Sequence, residues 1–539
     1  MRTKFILISL LLLVVSGCRD ESLDELRGRY HGLMSIAGVT SQVVAEVPTV
    51  KDKGDFKTLE FSIFRTLGTA KAERVFVQST DSFLTIQSPL FGNREYRLTL
   101  NSDNCGVGEN SGEIQKLCVA PGKINFDITS KASGQMVISI HLLRDDTLPP
   151  APKSDELQGK YSLDELVGRA RFNNYAVSQE AERVFQAKQR IKIAIGNLLP
   201  HFNMKDLLAF VSGGPLGAIE AIGSLMPYIF PSNWYKWDEA KELESAKRKS
   251  FASLRGNEMQ YVESFYYLVS RDLAIQDIME KGLAKQDEIH RVIEKREILG
   301  LLPRGSAEKY QLNLLLLEQD LVQLKTLISL EHSSLAHAVA LPASTGIKQI
   351  LPIGLPDLAT ENSIDANKYI KEAQTRSFEA ATFDFLIEAS RQNTKAHAWG
   401  FLDPNSNDVM GFGYAAMLNV GESSERELAN KKEETLSLID QRTVIAATEY
   451  NNSLRSFRIA EASLKNADDR LKTLLRRLQV GDDRVNDEYF VQEMSDASSI
   501  LLKASANRIT AVYALLMAKS KVERLVLKGF YQDLELTVE

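Results

Sequence analysis

Seven histidines, at positions 31, 141, 201, 290, 332, 337 and 397, are the first candidates for metal or general-base chemistry. None is spaced as HExxH or HxxxH, so no helix presents two imidazoles on one face to a zinc ion. No Walker loop, GxSxG or GxGxxG occurs either, and the sequence implies neither an enzyme nor a cofactor. His332 and His337 lie at a helix end and read as surface or capping residues. Cys105 and Cys118 bracket the Gly- and polar-rich stretch "CGVGENSGEIQKLC". In an oxidising compartment such a pair forms a disulfide, whereas a metal site needs more ligands than the pair offers.

The compartment follows from the other end of the chain. Arg2 and Lys4 precede a continuous apolar run, Phe5 to Val15, which is too short for a permanent membrane span. "VSGC", Val15 to Cys18, resembles a bacterial lipoprotein signal, in which removal of residues 1–17 leaves Cys18 as a lipidated first residue; an ordinary secretory signal with a chance cysteine is the alternative. Arg19 rather than aspartate after Cys18 implies sorting to the outer membrane. Loss of Arg2 and Lys4 takes the formal net charge from −6 to −8. No basic face stands out, so nucleic acid is not an expected partner.

Another residue pair is a matter of turn chemistry. "REILGLL" (Arg296 to Leu302) and "RLQVGDD" (Arg477 to Asp483) share an Arg-x-x-x-Gly spacing, with their glycines 181 residues apart. Glycine and proline are absent from Glu422 to Val480 and again from Asp482 to Lys528. Gly300 and Gly481 therefore stand where a left-handed residue closes one helix and reverses the chain. Arg296 and Arg477 fall in the last helical turn, where a cation complements the helix dipole and reaches free carbonyls.

The elements that position these tips are long. Tyr310, Leu314, Leu317, Leu321, Leu324 and Ile328 step at a 3.5-residue period, as do Leu464, Ala467, Leu471, Leu474 and Leu478, and then Leu502, Ala506, Ile509, Tyr513 and Leu516. That period predicts left-handed packing along one seam. A helix over the 59 residues Glu422–Val480 is roughly 90 Å long and needs partners throughout. Ahead of the helices, residues 18–143 read as a small antiparallel β barrel or sandwich, from the alternation in "TLEFSIF", "KINFDI" and "MVISIHLL". Residues 144–158, "RDDTLPPAPKSDELQ", form a Pro-rich linker. Ser162 and Glu165 then make a capping box. A connector at 341–357 divides the helical part into two repeats, 159–340 and 358–539.

The duplicated tip motifs, "YSLDELVGRARFNN", "QEAERVFQAKQRIKIAIGNLLP" and "AQTRSFEAATFDFLIEASRQ" together resemble the TolC-like outer membrane factor family over about residues 160–535. The resemblance implies a mainly α chain of two tandem coiled-coil hairpin repeats behind the N-terminal β domain. It also implies a homotrimeric α-barrel below an outer-membrane β-barrel, working as a passive duct with a periplasmic adaptor and an inner-membrane transporter. On this likeness Arg296, Gly300, Leu301, Arg477, Val480 and Gly481 dock the adaptor, while the plainer reading is that they only cap and turn helices. Asp482 and Asp483 depart from the family's apolar residue after the glycine. They form either an acidic entrance ring or a solvated turn.

Each repeat of that family carries a strand hairpin for the outer-membrane barrel. Here "AHAWGFLD" and "VMGFGYAAMLNVG" predict one within 396–421. The first repeat instead has an apolar insertion, 203–238, with Trp234, Tyr235 and Trp237 suited, like Trp399, to an interfacial aromatic belt. Expected is an outer-membrane, lipid-anchored protein with most of its chain in the periplasm. A non-conducting scaffold that bridges the periplasm and binds a partner through its β domain is the alternative.

Overall fold

A computed structural model describes residues 28–36, 39–47, 51–53, 56–65, 72–79, 83–87, 95–100, 105–110, 113–120, 123–131, 136–144, 160–199, 227–341, 347–353, 361–403, 410–411, 413–480, 488–532 and 534. Cys18, the linker residues 145–158, Gly481, Asp482 and Asp483 lie outside the described residues, as do 203–226. The chain divides into two compact units. One holds residues up to Gln158 with Arg171–Ile195, and the other holds Gly159–Ala170 with Gly196–Leu534.

The first unit is a closed antiparallel barrel. Its strands are β1 (Gly28–Ile36), β2 (Val39–Val47), β3 (Lys51–Lys53), β4 (Phe56–Arg65), β5 (Ala72–Ser79), β6 (Phe83–Gln87), β7 (Glu95–Leu100), β8 (Cys105–Asn110), β9 (Glu113–Ala120), β10 (Lys123–Ser130) and β11 (Met136–Arg144). β1 pairs with β2, neighbours from β3 to β11 pair in order, β11 returns to β1, and β2 pairs with β4, which closes the ring and leaves β3 on the lip. Alternation does what a period of two requires. Ile124, Phe126 and Ile128 on β10 and Ile138, Ile140 and Leu142 on β11 point into one apolar core with Tyr30, Met34 and Leu98. Cys105 and Cys118 stand opposite each other on β8 and β9 and are disulfide-bonded. The helix over Tyr175–Gly196 has one face of small and apolar residues, Val177, Ala181, Val184 and Ala187, that is buried.

The helical elements show the duplication in their lengths. α1 (Leu163–Asn173), α2 (Tyr175–Gly196), α3 (Pro231–Ile298) and α4 (Ser306–Ala338) have 11, 22, 68 and 33 residues. α5 (Ala366–Arg376), α6 (Phe378–Gly400), α7 (Tyr414–Val480) and α8 (Glu488–Leu525) have 11, 23, 67 and 38. Their starts are written in side chains. Ser162 and Glu165 form the expected capping box, with Ser162 N–H donating to Glu165 at 2.8 Å and Glu165 N–H to Ser162 Oγ at 3.3 Å. Asp365 and Ser377 cap α5 and α6 by accepting from the Asn367 and Ala380 N–H groups.

The seam residues are the ones that pack. Tyr310, Leu321 and Ile328 on α4 are buried while their neighbours face out, and Ala467, Leu471, Leu474 and Leu478 on α7 behave alike. On the exposed faces, carboxylates one turn ahead of lysine or arginine, such as Asp277–Lys281, Asp287–Arg291 and Glu427–Lys431, support the long helices. Each such pair contributes about 0.3–0.5 kcal/mol. A short parallel pair, β12 (Lys160–Tyr161) with β13 (Gln349–Ile350), joins the first residues of the helical unit to the connector. Tyr266 on α3 donates to the Leu351 carbonyl there at 2.5 Å.

Two expectations fail here. The predicted strand hairpin within 396–421 is helical at both ends: 396–400 complete α6 and 414–421 open α7. Gly421 misleads because its missing side chain serves helix packing, since a Cβ there would meet Thr394 Oγ1 at 2.3 Å. The insertion 203–238 is also shorter than expected. Pro231 starts α3, so Trp234, Tyr235 and Trp237 occupy its first two turns. His332 is half-buried near the end of α4, and its Nε2 atom is buried with no hydrogen-bond partner.

Candidate functional site

The first hairpin tip is built by backbone chemistry around Gly300. Gly300 takes φ +70°, its N–H donates to the Glu297 carbonyl at 3.0 Å, and the Leu301 N–H donates to the Arg296 carbonyl at 2.9 Å. These two bonds close α3 in a Schellman turn, the role its position in the sequence implies. Glu297 then reaches forward across the turn. Its carboxylate accepts from Gly305 N–H at 2.7 Å and Ala307 N–H at 2.8 Å, and so caps α4. The Ala307 and then the Gly305 N–H hold that carboxyl below its ordinary range.

Arg296 does not stay on its own helix. Its guanidinium donates to the Leu478 carbonyl in the last turn of α7, so the first hairpin is tied to the second. Under this bond the two tips share a core of Ile293, Leu302, Tyr310, Leu474, Leu478 and Met494. Arg477 is half-buried on α7, and no reciprocal bond to the first tip is formed among the described residues. α7 ends at Val480, as expected, one residue before Gly481.

Among the described residues, the tips expose several large apolar side chains. Ile298 is 79% exposed, Leu299 71%, Val480 83% and Tyr489 80%. Leu301 is exposed as well. Beside them a cavity of about 280 Å³ opens between α4 and α8, lined by Lys309, Asn313 and Gln492 among others, with Asn313 donating to Ser495 Oγ across it. The sequence reading overlooked Glu297, Ile298, Asn313 and Tyr489. For Glu297 no local signal exists, because its partners lie 8 and 10 residues on. Ile298 stands between Arg296 and Gly300, and a hydrophobic residue at a solvated turn was the available clue.

The other end of the bundle gathers the aromatic residues. α3 and α6 run antiparallel there, with Asn393 donating to Glu239 at 3.0 Å and Lys395 lying 5.8 Å from the Tyr235 ring. This brings Trp399 to the end that carries Trp234, Tyr235 and Trp237. Trp234 and Trp237 meet edge-on at 5.7 Å, Lys241 covers the Trp237 face at 3.2 Å, and Trp234 Nε1 donates to the Tyr228 carbonyl at 2.8 Å. Trp234 and Trp399 are each 44% exposed, with Tyr228, Ile229 and Leu402 exposed near them. Rings with one apolar side and a polar edge, interleaved with lysines, suit a boundary between hydrocarbon and water. Among the described residues no group of His, Cys, Asp and Glu is arranged to hold a metal ion.

No protein-family model matches the chain, and no curated protein does. Solved structures do. The outer membrane protein VceC of Vibrio cholerae superposes with a TM-score of 0.54 at 14% identity, covering 68% of this chain and 96% of that one. CusC gives 0.55 at 11%, covering 68% and 92%. The CmeC outer membrane channel of Campylobacter jejuni gives 0.52 at 12%, covering 69% and 86%. At these identities the likeness is one of fold.

Proposed function

We propose that this chain, whose helical unit carries the TolC-like outer membrane factor fold, is the protomer of a passive outer-membrane duct in an export or efflux system. The observation that carries the reading is the pair of long hairpins whose tips are tied together yet leave Ile298, Leu299, Leu301 and Val480 in water. An apolar tip at the end of two long helices has no use in an isolated chain and invites a partner. In this reading Arg296, Gly300, Leu301, Arg477, Val480 and Gly481 receive a periplasmic adaptor, and an inner-membrane transporter supplies the energy.

The assembly is a homotrimer. α4 exposes a second apolar face, Leu312, Leu315, Leu316, Val322, Leu327 and Leu330, away from its buried seam, and packing against a neighbouring copy would cover it. Three copies place six carboxylates of Asp482 and Asp483 near the tube mouth, where they favour cations over anions. Cys18 supplies the lipid anchor. The aromatic end with Trp234, Tyr235, Trp237 and Trp399 meets the outer membrane.

One observation favours the second reading, a non-conducting scaffold that spans the periplasm. Residues 396–400 and 414–421 are helical, so among the described residues the strand pair expected from the resemblance is not formed. Conductance in a planar bilayer separates the two. A verified trimer that gives discrete channels supports the duct, and one that gives none supports the scaffold. Crosslinking from cysteines placed beside Gly300 tests docking, and the absence of any adaptor adduct in cells would refute it.

A further inference from the structure

We propose that an open cavity lined by α3, α5, the start of α6, α7 and α8 is a binding site for a small amphiphilic monoanion. The cavity holds about 360 Å³, within the usual span of about 300–1,000 Å³ for small-molecule pockets. It lies in the body of the helical unit and shares no lining residue with the tips or the aromatic end.

Its charges do not cancel. Arg442, Lys521 and Arg524 line it together with Glu379 and Glu449. Lys521 pairs with Glu449 at 2.6 Å, and Arg524 with Glu379 at 3.3 Å. Arg442 is left with no carboxylate partner among the described residues, so the lining carries one cation in excess. Arg524 is itself buried, with 6% of its surface exposed. Its Nη2 donates to the Ser253 carbonyl at 3.0 Å, and its Nε N–H is buried with no acceptor. Burial lowers the proton affinity of that guanidinium and the like charge of Arg442 lowers it further, while Glu379 opposes both. An arriving anion would relieve that repulsion. Room for the guanidinium comes from Gly256, where a Cβ would lie 2.6 Å from Arg524 Nε.

The remaining wall is mixed, with Asn257, Gln260 and Ser377 beside an aliphatic strip. Ile439, Ile445, Ala446 and Leu525 face the space. A single excess guanidinium beside aliphatic side chains selects a ligand with one negative group on a short hydrophobic body. A doubly charged phosphate finds too little charge there, and a neutral hydrocarbon gains no ion pair with Arg442, whose side chain is exposed.

Calorimetric titration of the full-length protein with 4-phenylbutyrate, and with 4-phenyl-1-butanol as its neutral match, tests the site. Saturable binding of the acid at one site per chain is expected, with the alcohol at least about tenfold weaker, the equivalent of one ion pair. Arg442→Gln weakens the acid by about tenfold without changing the alcohol. Ala446→Phe, which fills the cavity and leaves every charge in place, abolishes both, with retention of helical circular dichroism as the folding control. No saturable binding by the wild-type protein, or equal binding of acid and alcohol, overturns the proposal. So does acid binding that neither variant alters.

Discussion

The Arg296 guanidinium donates to the Leu478 backbone carbonyl across 182 positions of sequence. That bond joins the last turn of α3 to the last turn of α7, and it spares one of the carbonyls a helix end leaves open. Arg296→Ala removes it and leaves the carbonyl partly buried, at a cost of about 1–3 kcal/mol. Hydrogen exchange is expected to quicken in both tips, around 289–302 and 471–480, with little change near Tyr266. Arg477→Ala, which breaks no such tie, changes exchange less. Equal effects from the two substitutions would remove the special role given to Arg296.

Gly300 at φ +70° occupies backbone space that a side chain resists. Gly300→Ala is expected to lower stability by about 1 kcal/mol, because nothing crowds the added methyl group and the strain is purely conformational. Gly282→Ala differs in kind: its Cβ would lie 2.2 Å from Leu502 Cδ2, so the two helices must part or Leu502 must move. Chemical denaturation of both variants should show the larger loss for Gly282→Ala.

Glu331 on α4 brings a pH dependence. Burial, and then the charge of Asp272 on α3, push its carboxyl up to about 7, against the pull of Arg271. Arg271 meanwhile holds Asp272 through two bonds of 2.6 and 2.9 Å. The folded state therefore binds the Glu331 proton more tightly than the unfolded chain, where a glutamate titrates near about 4.3. The resulting stability is complete below that value and is lost as pH rises through about 7. Tm measured near about pH 5 should exceed that near about pH 8, and Glu331→Gln should shrink the gap. An unchanged gap in the variant would assign it to other groups.

The disulfide cross-links β8 to β9, beside a thin part of the barrel's ladder. Among the described residues β7 and β8 share only two residue pairs, Thr99 with Val107 and Leu100 with Gly106, while β8 and β9 share six. Cys105–Cys118 closes a loop with a sequence separation of 13, for which chain entropy predicts about 3 kcal/mol. A Cys105→Ser/Cys118→Ser variant should unfold its β unit at lower denaturant, with the helical signal unmoved.

Local and periodic features were legible in the sequence. The seam through Leu321 and Ile328, the capping box at Ser162 and the turn at Gly300 each follow from residues within a few positions of one another. Features set by distant partners were not. Thr394 turns Gly421 from a strand signal into a helix contact. Leu478 draws Arg296 off its own helix, and Asp272 makes Glu331 something other than a solvated charge. Pro231, which starts the helix carrying Trp234 and Trp237, falls inside the insertion expected over 203–238.

The closed ring of β strands has a consequence for recognition. Strand addition requires a free edge, and closure through β2 and β4 uses up almost all of them. Among the described residues what remains is the short lip at Lys51–Lys53, whose two lysines discourage a guest strand. A protein that grips this unit has to read its convex wall instead, where Leu33, Met136 and Leu143 stand in water.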